Sequence, residues 1–304
     1  MNKIVYLKEI DKSLYLNKIT LKIQYWFKRV FNIIKKVKIE NVEIWNLPIN
    51  SDYNVKKIQK VFAKFLNSEN VYVLSQNLEN KKIYNVLNDK EIKYLKTGKI
   101  KKLLSIKILE YILSIQKREI QNTEVNILVK ESSNINSYII EEIAKNALNV
   151  KIISNNIYKF KKIEEKLYDE YGIAIQFSNS YKKSLSKSNI IINLDFDEID
   201  LNEYLIYDRA IIINCINQNI KIKSKLFNGV VINSVNISFN QDLKDKFKNL
   251  GLYNDFSSLI LLASVLEQEN YKTDINNYLV KIKNLYGNNG QISKNELKLY
   301  LTKK

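Results

Sequence analysis

Between residues 124 and 239, short runs rich in isoleucine and valine recur at near-regular intervals, and a polar turn follows most of them. The runs are Val125–Val129, Val150–Ser154, Ile173–Ser178, Asn189–Leu194, Ala210–Asn214 and Val230–Ile237, with helices fitting at 135–148, 157–170 and 180–187. Within the runs, apolar residues are continuous and do not alternate with polar ones, which is the pattern of a strand covered on both faces. Strands that alternate with helices pair in parallel, and right-handed crossovers then place helices on both sides of a single sheet. This stretch therefore predicts a doubly wound, mostly parallel α/β sheet over 123–240. Gly172, directly after EEKLYDEY, is placed to end a helix in the left-handed conformation.

The flanks alternate less regularly. Ile4–Leu7 predicts a strand. Residues 17–37 predict an amphipathic helix, because Ile19, Ile23, Trp26, Val30, Ile34 and Val37 step by three or four. Core packing explains that helix more simply than an anionic membrane surface. Val42–Leu47 predicts a second strand, stopped by Pro48. A helix over 53–67 would be capped by Asp52 or Ser51, and Val71–Ser75 would be a third strand. Residues 100–118 are apolar over a wide arc and read as a connecting helix. After 241, helices are expected at 241–249, 255–269, 274–286 and 292–302, with GNNG at 287–290 as a loop. The implied organisation is an N-terminal α/β domain (1–98), a connecting helix (99–122), the doubly wound domain (123–240), and C-terminal helices (241–304) packing back on the body. A chain of 304 residues has room for two cores of that size.

Composition narrows the chemistry. The chain has no histidine, which excludes histidine triads and HExxH zinc sites. Its one cysteine, Cys215, excludes an internal disulfide framework and reads as a small core residue. The net charge of +17 is nearly all lysine, since arginine occurs only at Arg29, Arg118 and Arg209. Abundant Ile, Asn, Lys and Tyr beside scarce Gly and Pro suggest AT-rich coding rather than a selected binding surface, so nucleic acid is not the expected partner. The start, MNKIVYLKEIDKS, carries no secretory signal, and the longest uncharged apolar run, Phe256–Leu266, is too short to span a bilayer. A cytoplasmic protein is expected.

Residues 124–239 are similar to the Rossmann-type domain of dehydrogenases. KSNIIINLD at 187–195 is similar to the fourth strand of such domains, and NGVVIN at 228–233 stands where a later strand is expected. The whole plan resembles the shikimate-dehydrogenase-like and amino-acid-dehydrogenase-like group, with the character of a protein from low-GC Gram-positive bacteria. The resemblance implies NAD(P) at the carboxyl ends of the strands, gripped by a glycine-rich turn after the first one. Here that turn is Lys130-Glu131-Ser132-Ser133-Asn134, with no glycine, so Cβ atoms stand where close backbone approach needs none. The group's catalytic lysine–aspartate pair has no clear counterpart; NLPINSDYNVKK at 46–57 is the nearest stretch, and no catalytic residue is assigned.

Strand ends of an open α/β sheet are where ligands bind. Candidate cofactor-binding residues are accordingly Ser132, Ser133, Asn134, Ser154, Asn155, Asn193 and Asn214, against the alternative that Asn and Ser simply favour turns. Asn155 and Asn156 occupy the place where an acid would meet the ribose. Asp195 and Asp197 form a DxD after a strand, a spacing suited to a divalent ion, or else a helix start capped by one of them. The reading these features favour is a non-catalytic or regulatory protein on a degenerate dinucleotide-binding scaffold, working through an unknown protein partner or a small metabolite, with a homodimer open to it. The alternatives are an NAD(P)-dependent oxidoreductase and a metal-dependent nucleotide-sugar transferase using Asp195 and Asp197.

Overall fold

A computed structural model of the chain describes residues 3–9, 34–39, 42–49, 54–79, 81–268 and 280–299. The chain divides into two compact units, residues 1–96 with 239–278 and residues 97–238 with 279–304.

In the first unit, strands β1 (Lys3–Glu9), β2 (Lys35–Ile39), β3 (Val42–Leu47) and β4 (Asn70–Leu74) lie in the order β2-β3-β1-β4. β1 is parallel to both its neighbours, while β2 is antiparallel to β3. Four successive residues of β1, Ile4 to Leu7, are buried, so both of its faces are covered. Val5 and Leu7 join a core with Trp45, Leu47, Ile58, Phe62 and Leu87, drawn in part from helices α1 (Val55–Phe65) and α2 (Lys81–Asp89). On the opposite face Tyr6 donates its hydroxyl to Ser264 Oγ (2.7 Å) in helix Ser258–Gln268, and burial pushes its pKa up. The cap of α1 is Asn54, which accepts from the Lys57 amide at 2.9 Å. Ser51 and Asp52 lie outside the described residues, as do 17–33 of the expected 17–37 helix. The end of that helix is corrected: 35–39 is strand, because Lys-Lys-Val-Lys-Ile alternates and pairs along β3.

The second unit opens with α3 (Gly98–Gln116), followed by β5 (Glu124–Leu128), α4 (Asn134–Asn146), β6 (Asn149–Ile153), α5 (Lys161–Tyr171) and β7 (Gln176–Ser178). Then come β8 (Ile190–Asn193), α6 (Glu198–Asn202), β9 (Ile211–Asn214) and β10 (Val230–Ile232). The sheet order is β10-β9-β8-β5-β6-β7, with every neighbouring pair parallel. Counted from its first strand, that is the 3-2-1-4-5-6 order of a Rossmann-like sheet, whose switch point falls between β5 and β8. Gly172 ends α5 at φ +66°, as its position predicted. Gly229 serves a different need: a Cβ there would stand 2.2 Å from the Ala210 carbonyl oxygen, beside the β9–β10 pairing.

Three expectations are corrected in this unit. Residues 180–187 form turns rather than a helix. Serine hydroxyls there compete for the backbone, with Ser186 Oγ on the Lys183 carbonyl (3.2 Å) and Ser188 Oγ on that of Ser184 (3.2 Å). The run 230–237 breaks at Asn233, after which β11 (Ser234–Ser238) leaves for a second sheet with β12 (Lys281–Gly287) and β13 (Gly290–Ile292), all antiparallel. The helix expected over 274–286 is therefore strand from 281, with its earlier part outside the described residues, and GNNG is the tip of a hairpin. No described helix is long and apolar enough to cross a membrane.

Candidate functional site

The carboxyl ends of β5 and β8 flank the switch point, and the turn after β5 is where a dinucleotide fold receives pyrophosphate. In this chain a carboxylate of its own stands there. Asp195, two residues beyond β8, turns its Oδ2 toward the backbone N–H groups of Lys130 and Glu131, each at 3.3 Å. The same oxygen accepts from Asn136 Nδ2 at 2.7 Å, and Oδ1 takes the Lys102 ammonium at 2.6 Å. Asn136 is 1% exposed and is itself fixed: its Nδ2 also reaches the Glu131 carbonyl (2.7 Å), and its Oδ1 accepts from Lys102 (2.9 Å). Two amides of the turn, a side-chain amide from the first turn of α4 and an ammonium from α3 thus converge on one anion. These are the donor types that a bound phosphate would use.

Beside this cluster, Asp197 caps α6 in a capping box with Asp200, and both carboxylates face Lys130. Hydrogen bonding to Asp200 holds the Asp197 carboxyl below its usual range. Partial burial works against the Lys130 ammonium, but its bond to Asp200 and the charges of Asp200, Asp197 and Asp195 together outweigh this and raise its pKa. Asp195 and Asp197, offered by the sequence for a divalent ion, are thereby both engaged with lysines. Among the described residues no group of three or more His, Cys, Asp or Glu is placed to hold a metal.

The other rim residues are brought together as a ladder of amides. Asn193 at the end of β8 donates to the Phe196 carbonyl (2.8 Å) and to Asn214 Oδ1 (3.2 Å) at the end of β9. Asn214 donates in turn to the Gln218 carbonyl (2.8 Å) and to Asn233 Oδ1 (2.9 Å) beyond β10. Asn233 continues to Asn288 Oδ1 (2.9 Å) in the β12–β13 turn, and its carbonyl accepts from the buried Lys101 ammonium (2.7 Å). Asn193, Asn214 and Asn233 are all at most 3% exposed, and their amide groups are occupied by each other and by the backbone. Ser133 caps α4 by accepting from the Asn136 amide (3.2 Å), and buried Ser154 accepts from that of Asn156 (3.2 Å). Ser132, Asn134 and Asn155 are exposed at the rim. Cys215 is buried, and burial pushes its thiol up to about 12, in keeping with an inert core residue.

Sequence reading located the turn and the rim but missed Lys102, Asn136, Asn233 and Lys101. No local pattern links Lys102 to a carboxylate 93 residues further on. Asn233 did carry a signal, because β8 and β9 end in Ile-Asn and the last residue of β10, Ile232, is likewise followed by an Asn.

No family model matches the chain, and no curated protein matches it. Among solved structures the chain is similar to the L-tryptophan dehydrogenase from Nostoc punctiforme, with 9% identity and a TM-score of 0.36 over 98% of this chain and 79% of that one. It is also similar to a dipicolinate synthase from Bacillus halodurans, with 8% identity and a TM-score of 0.36 over 69% of this chain and 81% of that one. An L-alanine dehydrogenase gives 10% identity and a TM-score of 0.35 over 73% of each chain. At that level of likeness, the Rossmann-like assignment stands on the chain's own strand order.

Proposed function

We propose that this chain is a non-catalytic or regulatory protein on a Rossmann-like scaffold, acting through protein contacts or weak metabolite binding, with its phosphate position filled from within. The observation that carries the reading is the Asp195 carboxylate, held by two turn amides, Asn136 and Lys102. A dinucleotide would have to displace that carboxylate and then tolerate the Cβ atoms of a turn without glycine. It would also meet Glu131, an exposed carboxylate of the turn itself, paired with Lys159 at 2.8 Å. Asn193 and Asn214 add to the case, since a ribose or nicotinamide amide could use them only by breaking the ladder.

The test is a titration of the purified chain with NAD(H), NADP(H) and nucleotide sugars, with and without Mn²⁺, followed by melting temperature. No shift is expected with any of them. A shift abolished by Ser133→Ala or Asp195→Asn would overturn the reading in favour of an oxidoreductase or a transferase. Asp195→Asn alone is expected to cost about 2 kcal/mol, because Lys102 keeps its charge in a confined place without its counterion.

A further inference from the structure

At the opposite edge of the sheet, where β5, β6 and β8 begin, lies a cavity of about 230 Å³. Arg118, Asn122, Glu124, Asn126, Leu148 and Asn189 are among the residues lining it. Three of these groups have binding capacity that the described residues do not use. The Arg118 guanidinium has five N–H donors and makes one hydrogen bond among the described residues, to the Asn122 carbonyl at 3.3 Å. Glu124 opens β5, and its carboxylate forms no ion pair among the described residues. Asn126 is 7% exposed in a strand otherwise apolar from Val125 to Leu128; its only side-chain bond among the described residues is from Nδ2 to the Ile190 carbonyl at 3.5 Å, which leaves Oδ1 unpartnered.

Asn126 Oδ1 accepts no hydrogen bond among the described residues and stays open to the cavity, so it stands there as an acceptor available to a ligand donor. A cation and an anion share the cavity yet form no pair with each other, an arrangement suited to a molecule that carries both charges. Arginine is also informative in this chain, where three arginines stand among 49 cationic residues. Its planar fork grips a carboxylate on two donors, which a lysine cannot do. Leu148, exposed at 63%, supplies an apolar wall.

We infer that this cavity binds a small zwitterion of the α-amino-acid class, with its carboxylate on Arg118 and its ammonium between Glu124 and Asn126 Oδ1. The inference is independent of how the Asp195 rim is read, since the two sites share no residue.

The full chain is titrated by calorimetry and melting temperature with the twenty L-amino acids, their amides, which lack the carboxylate, and their N-acetyl forms, which lack the ammonium. At least one amino acid is expected to bind, with both blocked forms of it weakened about tenfold or more. Arg118→Gln and Glu124→Gln should each weaken it by a similar factor, while Asp195→Asn leaves it unchanged. Asn126→Val, which removes the open acceptor, should bind less. Absence of binding by any amino acid up to about 10 mM would overturn the proposal. So would binding that survives both the amide form and Arg118→Gln, with circular dichroism showing the variants folded.

Discussion

A chain rich in lysine and lacking histidine stabilises its carboxylates with ammonium groups, and Glu141 on α4 is the clearest instance. It accepts from Lys145 and Lys166, both at 2.7 Å, and from the Tyr171 hydroxyl at 3.1 Å. The Lys145 bond, followed by the other two, draws its carboxyl down to about 2 from an ordinary 4.5. A depressed carboxyl contributes stability that is complete above its unfolded value and disappears as pH falls through the folded one. Glu141→Gln should therefore melt below the native chain by a constant margin above about pH 4.5, a margin that closes toward pH 2. A pH-independent margin would show that Glu141 acts by packing alone. At this scale, sequence reading saw little of the site. Ser133 and Asp195 were picked out by their place after strands, but their roles, as a helix cap and as an internal anion, depend on Asn136 and Lys102, which no spacing connects to them.

Among the elements, the strands of the parallel sheet were legible because continuous Ile and Val leave few alternatives, as in β8 and β9, both Ile-Ile-Ile-Asn. Strands completed by distant partners were not. Ile282 and Leu285 stand three apart and mimic a helix, yet in β12 they pair with Ile237 and Val235 of β11. The serines of 180–188 allowed a helix by spacing and prevented it by bonding to the backbone. The amide ladder ties β8, β9 and β10 at one rim, so its central rung can be tested as a tie between elements. Asn214→Leu leaves one of the two Asn193 Nδ2 hydrogens and the Gln218 carbonyl without a partner, and a loss of about 2 kcal/mol in urea denaturation is expected, with far-ultraviolet circular dichroism unchanged. A loss well under 1 kcal/mol would show that water replaces the rung.

For the molecule as a whole, the +17 charge is the feature most open to misreading. Lysines such as Lys102, Lys130, Lys145 and Lys166 face carboxylates. Binding to DNA or RNA should consequently be weak, indifferent to sequence and steeply lost with added salt in a fluorescence-anisotropy titration. Nanomolar affinity at physiological salt would instead mark a selected basic surface. The division of the chain into two discontinuous units has a further consequence, for its synthesis. β1 leaves the ribosome well ahead of what covers it, since the Ser264 hydroxyl that receives Tyr6 is translated 258 residues later. β11 likewise waits for β12, with a segment of the other unit between them. The nascent chain therefore carries two unfinished sheets at once, and β1, translated before its sheet neighbours, is among the last strands to be covered.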